Sequence, residues 1–207
     1  IAQAPGYANA YQWFADFLSS QGRTDEGLAA AASAMQLDPL SPIIALGEAT
    51  VLYYARRYAE AEAGCRRVID IYPEFQFGHL DLGRALEVQG RLEEAEAAFA
   101  RAARITGADP LTHAPLAQIA GMRGDRARAL DCARRLIESR RQRFVSPYTI
   151  ANLHVVAGEI DGAFEWLERA LEERDPMMVY LKVHPRLDSL RGDRRFDSLL
   201  RRVRLAR

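Results

Sequence analysis

Residues 77–105 read FGHLDLGRALEVQGRLEEAEAAFARAARI, and this stretch decides the fold. Its apolar residues recur at the period of an α-helix in two runs, which are separated by a short break at Gly90. Because glycine lacks a Cβ atom, it adopts positive φ easily at the end of a helix, and Gly90 therefore predicts a tight turn. The stretch predicts a helix hairpin. The positions predicted to be buried in it are Leu82, Leu86, Ala95, Phe99 and Ala102.

The same pattern recurs along the chain at a spacing of 34 residues. The turn position is occupied in successive units by Gly22, Arg56, Gly90, Gly124 and Gly158. Another set of equivalent positions, on the first helix of each unit, always holds a small residue. These residues are Ala15, Ala49, Gly83, Ala117 and Ala151. Small residues allow two helices to approach closely, so each unit is predicted to be a tightly packed helix pair. A continuous coiled coil is excluded, because a glycine or proline in every unit would break it.

These residues resemble the tetratricopeptide repeat, a family of helix-turn-helix units that stack into a right-handed superhelix. The unit spanning 76–109 matches best, with its signature positions at Leu82, Gly83, Leu86, Gly90, Leu92, Ala95, Phe99 and Ala102. The resemblance implies an all-α fold, an α-solenoid of antiparallel helix pairs. The predicted organisation is the end of a preceding repeat or a linker (1–7), five repeats within 8–177 (8–41, 42–75, 76–109, 110–143 and 144–177) and a C-terminal cap (178–207).

The end of the chain raises the question of whether it binds nucleic acid. Residues 184–207 hold eight arginines against three aspartates. After Asp193, which suits an N-cap, the apolar residues fall at i, i+3, i+4 and i+7, a pattern that predicts an amphipathic helix with its arginines on the polar face. A stacked array needs such a helix to cover its last apolar face. The pattern therefore favours a capping helix over a phosphate-binding tail.

Residues 146–200 are similar to a recurrent bacterial form of these repeats. That form lies C-terminal to winged-helix DNA-binding domains, serine/threonine kinase domains or cyclase-type domains of regulatory proteins. The family pattern has proline after the aspartate, where this chain has Arg194. The chain also begins at Ile1 without a methionine, which favours a piece of a longer protein.

Composition and motifs argue against catalysis. The formal net charge is zero, so no global charge favours nucleic acid or an anionic membrane. Lys182 is the only lysine and is followed by Val183, so a P-loop is excluded. His79 and His113 occupy the same position of consecutive repeats, but no second ligand pair accompanies them, so a packing role is favoured over zinc. We expect no enzymatic activity, no cofactor and no metal.

Two cysteines and the hydropathy of the chain bear on its location. Cys65 and Cys132 lie on the second helices of repeats two and four, too far apart to pair, and reduced thiols are expected. No apolar run is long enough to cross a bilayer. These features favour a cytoplasmic protein.

The resemblance assigns several positions of the first helices to a concave partner-binding groove. The predicted groove residues are Tyr53, Tyr54, Phe77, Leu80, Arg84, Met122, Tyr148 and Asn152. One buried stripe does not require so many large apolar side chains, and exposed clusters of this kind mark interaction surfaces. The alternative is a shifted second repeat that buries its tyrosines.

Two residues of the first repeat indicate which kind of partner is expected. In some members of the family a lysine and an asparagine on the first helix clamp a C-terminal carboxylate, and here Gln12 and Asp16 hold those places. An apolar protein segment, a neighbouring domain of the same polypeptide or a second copy of the chain is therefore favoured.

The predicted function is a non-catalytic protein-protein interaction module, a scaffold within a larger bacterial regulatory protein. Two alternatives stay open. One is a domain that senses a small molecule or peptide in the groove, and the other is a nucleic-acid accessory surface at the arginine-rich end.

Overall fold

The computed structural model describes residues 5–107 and 110–205, except for the side chains of 110–112. Over these residues the regular elements are all helices, which confirms the all-α prediction. The chain divides into two compact units, Ile1–Ile105 and Thr106–Arg207. The predicted end of a preceding helix at residues 1–4 lies outside the described part.

The first unit is built from three helix pairs. They are α1 (Ala8–Ser20) with α2 (Thr24–Leu37), α3 (Pro42–Tyr54) with α4 (Tyr58–Ile71), and α5 (Gln76–Val88) with α6 (Leu92–Thr106). Helix α1 packs against α2 and α3, and α3 packs against α4 and α5. Helices α2 and α4 also pack against α3 and α5, respectively, so each of these pairs contacts the next through both of its helices.

The second unit contains two more helix pairs and the C-terminal region. The pairs are α7 (Pro110–Met122) with α8 (Arg126–Ser139), and α9 (Pro147–Ala157) with α10 (Ile160–Glu172). Two short 3₁₀ helices, Pro176–Tyr180 and Pro185–Leu190, lead to α11 (Arg194–Arg202). Helix α9 packs against α7, α8 and α10, while α11 packs against α10. The division of the chain into five repeats and a cap remains a prediction.

The turns inside the helix pairs use left-handed backbone, as the glycine column predicts. Gly90 has φ of 75° and Arg56, the one residue of the column that is not glycine, has φ of 66°. A side chain with a Cβ atom has a steric cost in this region. The guanidinium of Arg56 donates a hydrogen bond to the Tyr58 hydroxyl at 3.0 Å, which holds the turn in place.

The small column brings the helices of a pair together. A Cβ atom added at Gly83 of α5 would lie 2.5 Å from the Phe99 ring of α6, which is too close for any side chain. Phe99 is fully buried. The glycine therefore makes room for the largest core residue of this pair.

A buried carboxylate joins the second and third helix pairs. Glu62 of α4 is 6% exposed and accepts hydrogen bonds from Gln89 at 2.9 Å and from Arg91 at 2.7 Å. Arg91 also pairs with Glu94 at the start of α6. Because the Glu62 charge is both hydrogen-bonded and paired, it can remain ionised while buried.

Helix α11 lies where the sequence predicts an amphipathic helix and packs against α10, while its role as a cap remains a prediction. The Asp193 carboxylate accepts a hydrogen bond from the Arg195 backbone N–H at 2.8 Å, so Asp193 is the N-cap and Arg194 begins the helix without the family proline. Phe196 and Leu199 are 1% and 0% exposed. They belong to one hydrophobic cluster with Leu167 of α10.

A second buried carboxylate anchors the segment after α10. Asp175 is 3% exposed and accepts hydrogen bonds from the Ser146 hydroxyl at 2.5 Å and from the backbone N–H groups of Tyr148 and Met177. These contacts tie the first 3₁₀ helix to the start of α9. The C-terminal region is thus held at its start by Asp175 and at its end by the packing of α11 on α10.

His154 occupies an unusual place in the core of the second unit. It stands in the column that holds Leu18, Leu52 and Leu86 in the first unit. Both of its ring nitrogens are buried and have no hydrogen-bond partner among the described residues. Burial lowers the pKa of His154, and the charges of Glu159 and Glu165 act in the opposite direction.

We expect His154→Leu to raise the free energy of unfolding by about 1–3 kcal/mol, because a leucine leaves no polar atom unpaired. The pKa of His154 is lower in the fold than in the unfolded chain, whose histidine takes up a proton below about pH 6.5. The wild type therefore loses further stability as the pH falls below about 6.5, and the advantage of His154→Leu should grow there. Denaturant unfolding of both proteins at several pH values measures the difference. The exposed His113→Leu is the matched control, and an equal gain there would contradict the prediction.

Candidate partner-binding site

Polar side chains meet on the first helices of the three pairs in the first unit. Asp16, Thr50 and Arg84 occupy the same position of α1, α3 and α5, spaced by 34 residues. Arg84 donates a hydrogen bond to Asp81 of the same helix at 2.7 Å, and Thr50 lies near enough to help lower the pKa of this carboxylate. We call Asp16, Thr50, Asp81 and Arg84 the polar cluster. Its members come from three helices, and Asp16 interacts with the others through the charge of Asp81.

The two carboxylates of the polar cluster are electrostatically coupled. Burial, followed by the charge of Asp81, raises the pKa of Asp16 to about 6. Burial also raises the pKa of Asp81, while the charge and hydrogen bonds of Arg84 and Thr50 act to lower it. At neutral pH, above this pKa, Asp16 is therefore ionised in surroundings that disfavour its charge, which costs stability.

Three of the predicted groove residues meet beside the polar cluster. Tyr53, Tyr54 and Arg84 line a cavity of about 20 Å³ together with Thr50 and Asp81. This volume is enough for about one water molecule and too small for an organic ligand. The cavity therefore gives no support to a small-molecule site in the first unit.

The predicted residues of the first unit differ in depth. Tyr53 is 6% exposed, and its ring packs against Tyr54 at 5.1 Å and Tyr58 at 5.9 Å. Tyr54, Leu80 and Arg84 are half-buried. Phe77 is 45% exposed, and the centre of its ring lies 5.6 Å from that of Phe75. The accessible part of the predicted groove is therefore formed by Phe77, Leu80, Tyr54 and Arg84.

The predicted residues of the second unit are mostly interior. Met122 at the end of α7 is 42% exposed. Tyr148 is 1% exposed and places its ring 5.6 Å from that of His184. Asn152 is 6% exposed, and its Oδ1 atom has no hydrogen-bond partner in the described part of the chain. Tyr148 and Asn152 thus lie beneath the surface of α9.

Asp81 is the member of the polar cluster that sequence reasoning missed. The positions equivalent to it hold Trp13 and Gly47, so no column of like residues marks it. The polar column of Asp16, Thr50 and Arg84 was the available signal, because a carboxylate one turn away on the same helix face is in reach of such residues.

The cysteines do not form a reactive site. Burial raises the pKa of the Cys65 thiol far above its usual range, and it also raises the pKa of Cys132. Both thiols are free. Raised pKa values keep them protonated and poorly nucleophilic.

The sequence model of the tetratricopeptide repeat matches residues 14–74 and 78–110. This match covers just under half of the chain, and these residues are similar to tetratricopeptide repeats. Repeats of this family generally act as non-catalytic protein-interaction scaffolds. No curated protein matches the sequence.

Two solved structures, one of them a tetratricopeptide-repeat protein, resemble nearly the whole chain. TTC0263, a thermophilic tetratricopeptide-repeat protein of Thermus thermophilus, is 18% identical, with a TM-score of 0.63 over 94% of this chain and 99% of that one. A chain of the APC/C hetero-tetramer Cut9–Hcn1 is 15% identical, with a TM-score of 0.66 over 98% of this chain and 44% of that one. These similarities confirm the α-solenoid fold class.

Two further findings concern membranes and metals. No helix of the described residues is long and apolar enough to span a membrane. Within residues 5–107 and 110–205, no group of three or more histidine, cysteine or acidic side chains has the arrangement of a metal site.

Proposed function

We propose that the tetratricopeptide repeats of this chain form the protein-binding module of a larger bacterial regulatory protein that acts in the cytoplasm. The proposed partner is an apolar peptide segment or a neighbouring protein domain. Its binding surface is the exposed part of the groove in the first unit, and no catalytic step is assigned to the chain.

The observation that best supports this surface is the combination of accessible apolar and polar groups on α3 and α5, which pack directly against each other. Phe77 leaves 45% of its surface exposed, and the half-buried Leu80 and Tyr54 accompany it. Arg84 is held by Asp81 and adds a fixed polar contact. Apolar anchors next to an oriented arginine are typical of interaction hot spots.

The interior residues of the predicted groove have a supporting role in this proposal. Tyr53 and Tyr148 are buried, and Asn152 is 6% exposed. They support the first helices from beneath, so changing them would test packing rather than binding. Met122 is exposed in the second unit and provides a separate apolar contact there.

Two arginines of the C-terminal helix, Arg195 and Arg202, are engaged with the protein itself, which weighs against the nucleic-acid alternative. Arg195 pairs with Asp161 at 2.7 Å, and its guanidinium lies 4.0 Å from the centre of the Phe164 ring. Arg202 pairs with Glu168 at 2.5 Å. A phosphate backbone would have to compete with these contacts.

One observation favours small-molecule sensing as a second candidate function. A cavity of about 470 Å³ lies against α7 and α8, lined by Leu116, Ala117, Arg128 and Cys132 among others. Its volume lies within the range of small-molecule sites, about 300–1,000 Å³. A ligand there would bind independently of Leu80 in the first unit.

Leu80→Glu is expected to weaken peptide binding at least tenfold, because it places a charge in the centre of the apolar surface. A random peptide library selected on the immobilised chain supplies the probe, and calorimetry measures the affinity of the selected peptide for each variant. Since Leu80 is only half-buried, the melting temperature should change little.

Leu40→Glu is the matched control, because Leu40 is 79% exposed and lies between α2 and α3. It should bind the selected peptide as the wild type does. The proposal fails if the library yields no binder, or if Leu80→Glu binds as tightly as the control.

A further inference from the structure

Asp16 is the charged member of the polar cluster that lacks a counter-ion among the described residues. Its side chain is half-buried on α1. Arg84, the one cation of the cluster, pairs with Asp81 at 2.7 Å. In the described part of the chain the Asp16 carboxylate has neither a hydrogen-bond nor an ion-pair partner, and the charge that acts on it is that of Asp81. A carboxylate in the groove is therefore left without a cation.

The repeat register places a glycine next to Asp16. Thr50 of α3 and Asp81 of α5 line the same small cavity, so these two positions of successive pairs lie beside each other. One repeat earlier, the same two positions hold Asp16 and Gly47. A Cβ atom added at Gly47 would come no closer than 4.0 Å to the side chain of Ala31, so there is room for it. Helix α3 therefore offers no side chain to Asp16 at the position from which Asp81 meets Thr50.

The first helices of the three pairs in the first unit carry an excess of negative charge. Apart from one histidine, their ionisable side chains of opposite sign are four carboxylates and one guanidinium, on Asp16, Glu48, Asp81, Glu87 and Arg84. Glu48 lies 3.6 Å from Arg67 of α4, and Asp81 has Arg84. The charge on these helices therefore complements a cation better than an anion.

The charge of Asp16 is held at a cost to the fold. Burial and the charge of Asp81 raise the pKa of Asp16 to about 6, so the carboxylate is ionised at neutral pH in surroundings that disfavour it. A residue that destabilises the fold beside a binding surface is typical of functional sites. A cation from a partner would offset this cost, because a nearby opposite charge favours the ionised form.

We propose that the peptide bound by the groove carries a lysine or arginine whose cation pairs with Asp16. This inference rests on the proposed peptide-binding function and names the charge of the partner. Helix α1 packs against α3, and α3 against α5. Neighbouring helix axes lie about 8–10 Å apart, so Asp16 is on the order of 16–20 Å from Leu80 of α5. An extended peptide advances about 3.3 Å per residue, which places the cation roughly five or six residues from the apolar residue that contacts Leu80.

Peptides selected from a random library on the immobilised wild-type chain test this pairing. Asp16→Asn should weaken the binding of the selected peptide at least tenfold, as measured by calorimetry. Replacing the lysine or arginine of the peptide by norleucine should weaken binding to the wild type by a similar factor and should have little effect on binding to Asp16→Asn. The melting temperature of Asp16→Asn should be at least that of the wild type, so unfolding cannot account for the weaker binding.

Asp70→Asn is the matched control, because Asp70 is exposed on α4, a second helix. It should bind the selected peptide as the wild type does. A selected peptide that has no cation, or that binds Asp16→Asn as tightly as the control, overturns the pairing. If such a peptide still loses affinity for Leu80→Glu, the proposed function survives, whereas a library without any binder overturns both.

Discussion

Phe196→Ala is expected to lower the free energy of unfolding by about 3–5 kcal/mol, the usual cost of removing a buried phenylalanine. Phe196 is 1% exposed and lies in one cluster with Phe164, Leu167 and Leu199. Truncating it leaves a cavity between α10 and α11 and weakens the only helix that covers this side of α10 in the described part of the second unit. Denaturant unfolding followed by circular dichroism measures the loss.

The control removes charge from the same helix. Changing Arg201 and Arg202 together to glutamine should alter the free energy of unfolding by less than about 1 kcal/mol, because both side chains are exposed and surface ion pairs contribute little. The opposite pattern would reject the capping role. In that pattern Phe196→Ala has the same free energy of unfolding as the wild type, and the double glutamine variant loses salt-sensitive binding to double-stranded DNA.

Asp16→Asn is expected to stabilise the protein at neutral pH. Burial and the Asp81 charge raise the pKa of Asp16 from 3.8 to about 6, so the ionised carboxylate destabilises the fold by up to roughly 3 kcal/mol. An amide at this position carries no charge and avoids this cost. The gain is measured as the difference in the free energy of unfolding between the variant and the wild type.

The stability gained by Asp16→Asn depends on pH. Between about pH 4 and pH 6 the folded state binds the Asp16 proton more tightly than the unfolded state does, so this group makes the wild type more stable as the pH falls. The advantage of Asp16→Asn should be largest above about pH 7 and vanish below about pH 4. Asp70→Asn is the control, since Asp70 is exposed on α4, and it should change little at any pH. An equal response of both variants would contradict the raised pKa of Asp16.

The 34-residue period made the helices and their turns predictable. It placed glycines where the backbone has positive φ, and it placed Arg56 in the same conformation although arginine does not favour it. It also placed Gly83 against Phe99. These features depend on contacts inside one helix pair or between adjacent pairs, which the period repeats.

The depth of individual groove residues was not predictable from the period. Tyr148 occupies a groove position by register, yet the ring of His184 packs against it, and its backbone N–H donates to Asp175. Both partners come from the region after α10, where the repeat pattern ends. Tyr53 is buried because neighbouring tyrosines pack around it, a local feature of the second helix pair.

The coupling of Asp16 with Asp81 could not be read from the sequence either. The two residues are 65 positions apart and occupy different columns of the repeat. They interact because α1 and α5 both pack against α3. Only the packed arrangement of three helices shows that the charge of Asp81 reaches the carboxyl group of Asp16.

Hydrogen–deuterium exchange of the chain, with and without a peptide selected from the random library, tests the proposed binding surface most directly. The peptide should slow exchange in α3 and α5, the helices that hold Tyr54, Phe77, Leu80 and Arg84. The same peptide should leave α2 and α4 unchanged, because they are the second helices of their pairs. Protection confined to α2 and α4, or to the second unit, would contradict a binding surface on the first helices.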